Sequence, residues 1–187
     1  MTITALDPKT ALIVIDLQKG ILSYLPAQPL DIVVKHATAL TEAFRRHNLP
    51  IVLVNATGGA PGRTEQARNL GERPADWVDL IPELNQQPPD HVVTKQTWGA
   101  FTNTDLDEHL KRLGVTQVVI IGVATSIGVE STARHAYEFG FHVTLAVDAM
   151  ADMSEANHVH SVTRIFPRLG ETGTAQEIID LLDRSRA

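Results

Sequence analysis

Five short stretches of the chain are apolar at nearly every position: ALIVID (11–16), IVLVNAT (51–57), HVVTK (91–95), QVVIIGVA (117–124) and HVTLAVDA (142–149). Strands of a parallel sheet covered on both faces read this way, whereas a sheet with one wet face alternates. Between these runs the apolar positions step by three and four, the spacing of one helix face. Val33, Ala37, Leu40 and Phe44 form one such stripe. Leu106, Leu110 and Leu113 form a second, and Val129, Ala133, Ala136 and Gly140 a third with small residues. Ala175, Ile178, Ile179 and Leu182 close the series. Thr104 with Asp107, and Thr174 with Glu177, have capping-box spacing, and Ser154 before Glu155 is a further cap. Strands that alternate with helices at short spacing predict right-handed βαβ units. The expected fold is α/β, a three-layer α/β/α sandwich around a mostly parallel sheet, with a sixth strand near Arg168 to Thr172.

The stretch from Gly58 to Pro89 breaks the rhythm. GGAPGRT is turn-rich, and ADWVDLIPEL contains a short helix at most. Such an insertion after a strand end is either a binding loop or lid, or a plain surface excursion. No repeat, low-complexity segment or linker divides the chain, so residues 1–187 are expected to form one domain.

Composition narrows the function classes. The 187 residues carry a net charge of −6, which speaks against a nucleic-acid backbone or an anionic membrane as partner, since both need a basic face. There is no cysteine, which removes disulfides, thiolate metal sites and Cys nucleophiles together. The amino terminus does not read as a leader, and the apolar run VVIIGVA is too short for a membrane span, so a cytoplasmic location is expected.

In open parallel sheets, ligands bind beyond the carboxyl ends of the strands. Asp16 follows the first strand, Lys95 ends the third, and ATSIG (124–128) follows the fourth. Burial raises a carboxyl pKa and a nearby ammonium lowers it, so Asp16 beside Lys95 would be an acid/base pair. Taken singly, Asp16 reads better as a turn carboxylate and Lys95 as a solvated lysine, since lone charges are usually structural. Trp98 and Phe101 after Lys95 supply either an apolar pocket wall or core packing for the loop. His158 and His160 lie two apart in a helical segment and point apart, so they are expected to be solvated and no metal is predicted. Neither a G-x-G-x-x-G nor a G-x-x-x-x-G-K-[ST] motif is present, so no nucleotide cofactor is expected.

Together, ALIVIDLQKGIL, VTKQTWGAFTNTDLDEHLKRLGV and VVIIGVATSIGVESTARHAYEFGFHVTLAVDAMAD resemble the isochorismatase-like hydrolase family, the cysteine hydrolase superfamily, from about Thr10 to about Leu182. In most members an Asp, a Lys and a Cys form a triad. The Asp matches Asp16, the Lys matches Lys95, and the Cys position is Gly128. The resemblance also implies a cis peptide at Val123–Ala124 that turns backbone amides of the 123–126 segment toward a substrate oxygen. It implies a small-molecule substrate, no cofactor and a homo-oligomer. Of the hydroxyls on Thr125 and Ser126, that of Ser126 is expected to cap a helix or bind ligand rather than attack.

Glycine cannot form a thioester. Isochorismatases resemble this chain in carrying Gly at that place, and they hydrolyse a vinyl ether by proton transfer from the Asp. By that precedent Asp16 is the general acid/base for vinyl ether or C–N bond hydrolysis. Lys95 holds the Asp and binds a substrate carboxylate, while Gly128 leaves room for a ring. The ATSIGVESTAR segment looks instead like the amidase branch with its Cys replaced, which leaves a non-catalytic small-molecule-binding member as the alternative.

Overall fold

The computed structural model describes residues 3–65 and 72–185. Six parallel strands form the sheet: β1 (Thr10–Ile15), β2 (Ile51–Ala56), β3 (His91–Lys95), β4 (Gln117–Val123), β5 (His142–Ala151) and β6 (Glu171–Gly173). Their order is β3-β2-β1-β4-β5-β6. The chain thus moves outward from β1 in one direction and from β4 in the other, which puts a topological switch point between β1 and β4.

Helices cover both faces. β1 is buried along its whole length, with Leu12 and Val14 facing one core and Ala11, Ile13 and Ile15 the other. The first core is closed by α2 (Ala27–Arg46), after the short α1 (Lys19–Leu22), and by α6 (Ala175–Ser185). The stripe Val33, Ala37, Leu40 and Phe44 lies fully in it, with Ile178 and Leu182 of α6. The second core takes Leu106 and Leu110 from α3 (Leu106–Arg112), and Ala133 and Ala136 from α4 (Glu130–Glu138). A further helix, α5 (Glu155–His160), follows β5. Among the described residues, no helix is long and apolar enough to cross a membrane.

Several local expectations are corrected. β3 is an edge strand, so it is not buried on both faces, and Val92 is exposed. Leu113 falls past the end of α3 and is exposed. Gly140 is not part of the α4 stripe. It takes a φ of 85° just beyond the helix, and Phe141 N–H bonds the Ala136 carbonyl, a glycine-terminated helix end. The Thr104–Asp107 box does not form: the Thr104 hydroxyl donates to the Ala100 carbonyl at 2.6 Å and Asp107 pairs with Lys111 at 2.7 Å. The Thr174–Glu177 box does form, at 2.8 and 3.2 Å, and Ser154 caps α5. The helix expected within 75–84 is a single tight turn at Pro82–Leu84.

One glycine fixes how β4 ends. Gly122 has a φ of 113°, and any Cβ there would collide with the Ile15 carbonyl oxygen. The pairing of β4 with β5 also shifts register between Ile120 and Gly122. The end of β4 is thereby pressed onto the end of β1, at the switch point.

Candidate active site

Asp16 leaves β1 in the left-handed region, with a φ of 53° that Asp tolerates better than bulkier residues, and its N–H is held by the Val54 carbonyl at 2.9 Å. Its side chain is buried, and Lys95 Nζ donates to its Oδ2 at 2.7 Å. Lys95 lies two strands away on β3, and Ala56 of the intervening β2 pairs with it in register. The small Ala56 side chain lets the lysine cross β2 to reach β1. Lys95 Nζ also donates to the Thr97 carbonyl at 3.2 Å. Asp16 Oδ1 is buried with no hydrogen-bond partner among the described residues.

Two opposed effects act on this carboxyl. Burial pushes its pKa up and the Lys95 ammonium pulls it down; burial is the larger, and the pKa is raised to about 6. The loop after β4 stands against it. Val123–Ala124 is a cis peptide, and Thr125–Val129 forms one wide helical turn that leads into α4. Gly128 lies in this turn rather than at the start of α4. A Cβ at 128 would stand 3.0 Å from Ile15 Cγ2, 3.1 Å from Asp16 Oδ2 and 3.2 Å from the Val123 carbonyl oxygen. A side chain at 128 would therefore press on these three neighbours.

A cavity of about 210 Å³ opens over the pair. Asp16, Lys95, Ala124, Gly128 and Trp98 line it, as the sequence suggests. Phe101 does not. It is buried in the second core, edge-on to Phe139 and stacked on Phe141. Trp98 is 62% exposed, at the rim rather than deep in a wall. Val123 and Thr125 are fully buried and outside the lining. Ser126 neither caps a helix nor lines the cavity: its N–H and hydroxyl both donate to Asp152 Oδ2, each at 2.7 Å. His158 is half-buried, with its Nδ1 2.8 Å from Thr125 Oγ1, while His160 is exposed as expected. Among the described residues no group of three or more His, Asp or Glu could hold a metal ion.

Other residues of the site carry no motif. Ile21, Leu25, Ile127 and Met153 are apolar walls. Gly58 and Trp77, from the irregular 58–89 stretch, also line the cavity. Gln18 is fully buried and clamps the ends of two segments, accepting from Ala56 N–H at 2.6 Å and donating to the carbonyls of Ala56 and Trp77 at 3.0 and 3.1 Å. A polar residue two positions past the strand-end Asp was the only sequence signal for it. Thr132 ties the Gly128 turn to the loop after β3, donating to the Gly128 carbonyl at 2.7 Å and accepting from Ala100 N–H at 3.0 Å.

The chain is similar to proteins of one family. The isochorismatase domain model matches residues 10–177. The uncharacterized isochorismatase family protein YwoC of Bacillus subtilis is 44% identical over 179 residues, covering 92% of this chain and 93% of its own. Nicotinamidase 3 of Arabidopsis thaliana is 33% identical over 169 residues, covering 81% of this chain and 79% of its own. A solved isochorismatase family protein from Burkholderia thailandensis superposes with a TM-score of 0.91 at 39% identity, over 97% of this chain and 100% of that one.

Proposed function

The chain belongs to the isochorismatase family of small-molecule hydrolases, and we propose that it cleaves its substrate by proton transfer from Asp16, with no covalent enzyme intermediate. The observation that carries this reading is Asp16 Oδ1: a buried carboxyl oxygen without a partner, on a group whose pKa is raised to about 6, facing a position that holds no nucleophile. Lys95 fixes the other oxygen, so Oδ1 is the oxygen that takes the proton when Asp16 is in its acid form.

A vinyl ether suits this arrangement best, with a C–N bond of similar acid lability next. The Asp16 proton forms a C–H bond at the distal vinyl carbon, and the positive charge moves to the carbon that bears oxygen. Water adds there and its proton returns to Asp16. The resulting hemiketal collapses to a hydroxy compound and a carbonyl compound. General acid catalysis of this kind contributes about 10²–10⁴-fold.

Asp16→Asn keeps the shape and removes the proton. It should lower turnover of any vinyl ether the wild type accepts by at least about 10²-fold, and quenched wild-type turnover should show no mass adduct. Unchanged turnover in Asp16→Asn would sink the proposal. Wild-type protein that binds such compounds and turns over none of them, nor amides nor esters, would mark it as a binding protein.

A further inference from the structure

We infer that the cavity selects an uncharged, apolar substrate of about one ring and a short arm, and discriminates against carboxylates. The inference rests on the reading above only in placing the scissile bond at Asp16. It also revises the sequence expectation that Lys95 binds a substrate carboxylate.

Size gives the first bound. The cavity holds about 210 Å³, and an apolar cavity of roughly 150 Å³ already accommodates benzene. One ring with a few further atoms fills it. The walls give the second. Ile21, Leu25, Trp77, Ala124, Ile127 and Met153 present apolar surface, and the exposed rings of Tyr24 and Trp98 extend it to the rim.

Charge decides the class. Among the described lining residues the charged ones are Asp16 and Lys95, and they are paired with each other at 2.7 Å. The Lys95 ammonium is further engaged by the Thr97 carbonyl. At pH 7.5, above the Asp16 pKa of about 6, Asp16 is ionised and a substrate carboxylate would have to share that ammonium with it. Among the described residues, Arg73 and Lys19 are engaged outside the cavity lining. Arg73 donates to the Thr57 carbonyl at 2.7 Å and lies over the Trp77 ring at 4.1 Å, and Lys19 is held by Asp76 and Asp79 at 3.0 and 3.3 Å. Burying an anion between apolar walls without a cation of its own is strongly unfavourable. A neutral ring meets no such penalty.

The test uses two unreactive probes of equal shape, 4-methoxybenzamide and 4-methoxybenzoate, titrated calorimetrically into the wild-type protein at pH 7.5. The amide should bind at least tenfold more tightly. Equal or tighter binding of the benzoate, or no binding of the amide at millimolar concentration, would overturn the inference. Met153→Arg, at an exposed rim position, should raise benzoate affinity at least fivefold. No gain there would show that a missing cation is not the discriminating feature. Neither probe carries an acid-labile bond. The binding order is therefore independent of proton transfer by Asp16, and each idea can fail without the other.

Discussion

Asp16 owes its chemistry to a contest between desolvation and one ammonium ion. Burial wins, and the carboxyl is held near a pKa of 6. If turnover needs the protonated form, kcat/KM falls as pH rises through about 6, because the acid is lost above that value. Lys95 lowers the Asp16 pKa both by its charge and by its hydrogen bond. Lys95→Met removes both, so the falling limb should move to higher pH in a rate–pH profile. A limb that stays in place or moves down would contradict the pairing. Gly128 is the second decisive residue. Its neighbours leave a Cβ only 3.0–3.2 Å of clearance, and Asp16 Oδ2 is one of them. Gly128→Ala requires Ile15, Asp16 or Val123 to give by a few tenths of an ångström, and it should cost about 1–3 kcal/mol by denaturant titration and lower turnover.

At the scale of elements, the site depends on one wide turn and the residues that pin it. Asp152, at the end of β5, accepts both the Ser126 N–H and its hydroxyl, and Oδ1 accepts from Ser154 N–H at 3.1 Å. Hydrogen bonds to a charged group are worth about 1.5–3 kcal/mol each. Asp152→Ala, which removes three of them, should therefore lose about 4 kcal/mol of stability or more and reduce turnover more than Asp152→Asn, which keeps an acceptor. Equal effects of the two variants would deny Asp152 this positioning role. The elements themselves were largely legible, because strands buried on both faces and helix stripes at steps of three and four leave strong periodic signals. Legibility failed where a tertiary partner outbid a local pattern. The Thr104 hydroxyl donates to the Ala100 carbonyl and accepts from Leu106 N–H at 3.4 Å rather than forming a capping box with Asp107. Trp98 and Phe101 sit three apart on one loop, yet one faces the rim and the other the core. Ser126 found a carboxylate across the sheet edge, which no spacing in its own segment announces.

The whole molecule explains why residues 16, 95 and 128 meet. Outward winding from β1 and from β4 opens a crevice at the strand ends between them. Gly122 closes β4 onto β1, and Ala56 lets Lys95 reach across β2. The same topology lines the crevice with side chains from α1, the turn after β4 and the irregular 58–89 stretch, so its apolar character arises from scattered positions rather than from a motif. That is why the charged pair could be read from the sequence and the cavity over it could not. The account turns on the ionisation of one side chain, and that can be measured without a substrate. A titration of carboxyl ¹³C shifts, with Asp16→Asn to assign the signal, should place the Asp16 midpoint at about 6. A midpoint at or below the ordinary value of 3.8 would leave fewer than about one Asp16 in a thousand protonated at pH 7, against about one in ten for a midpoint at 6, and would contradict proton donation by Asp16.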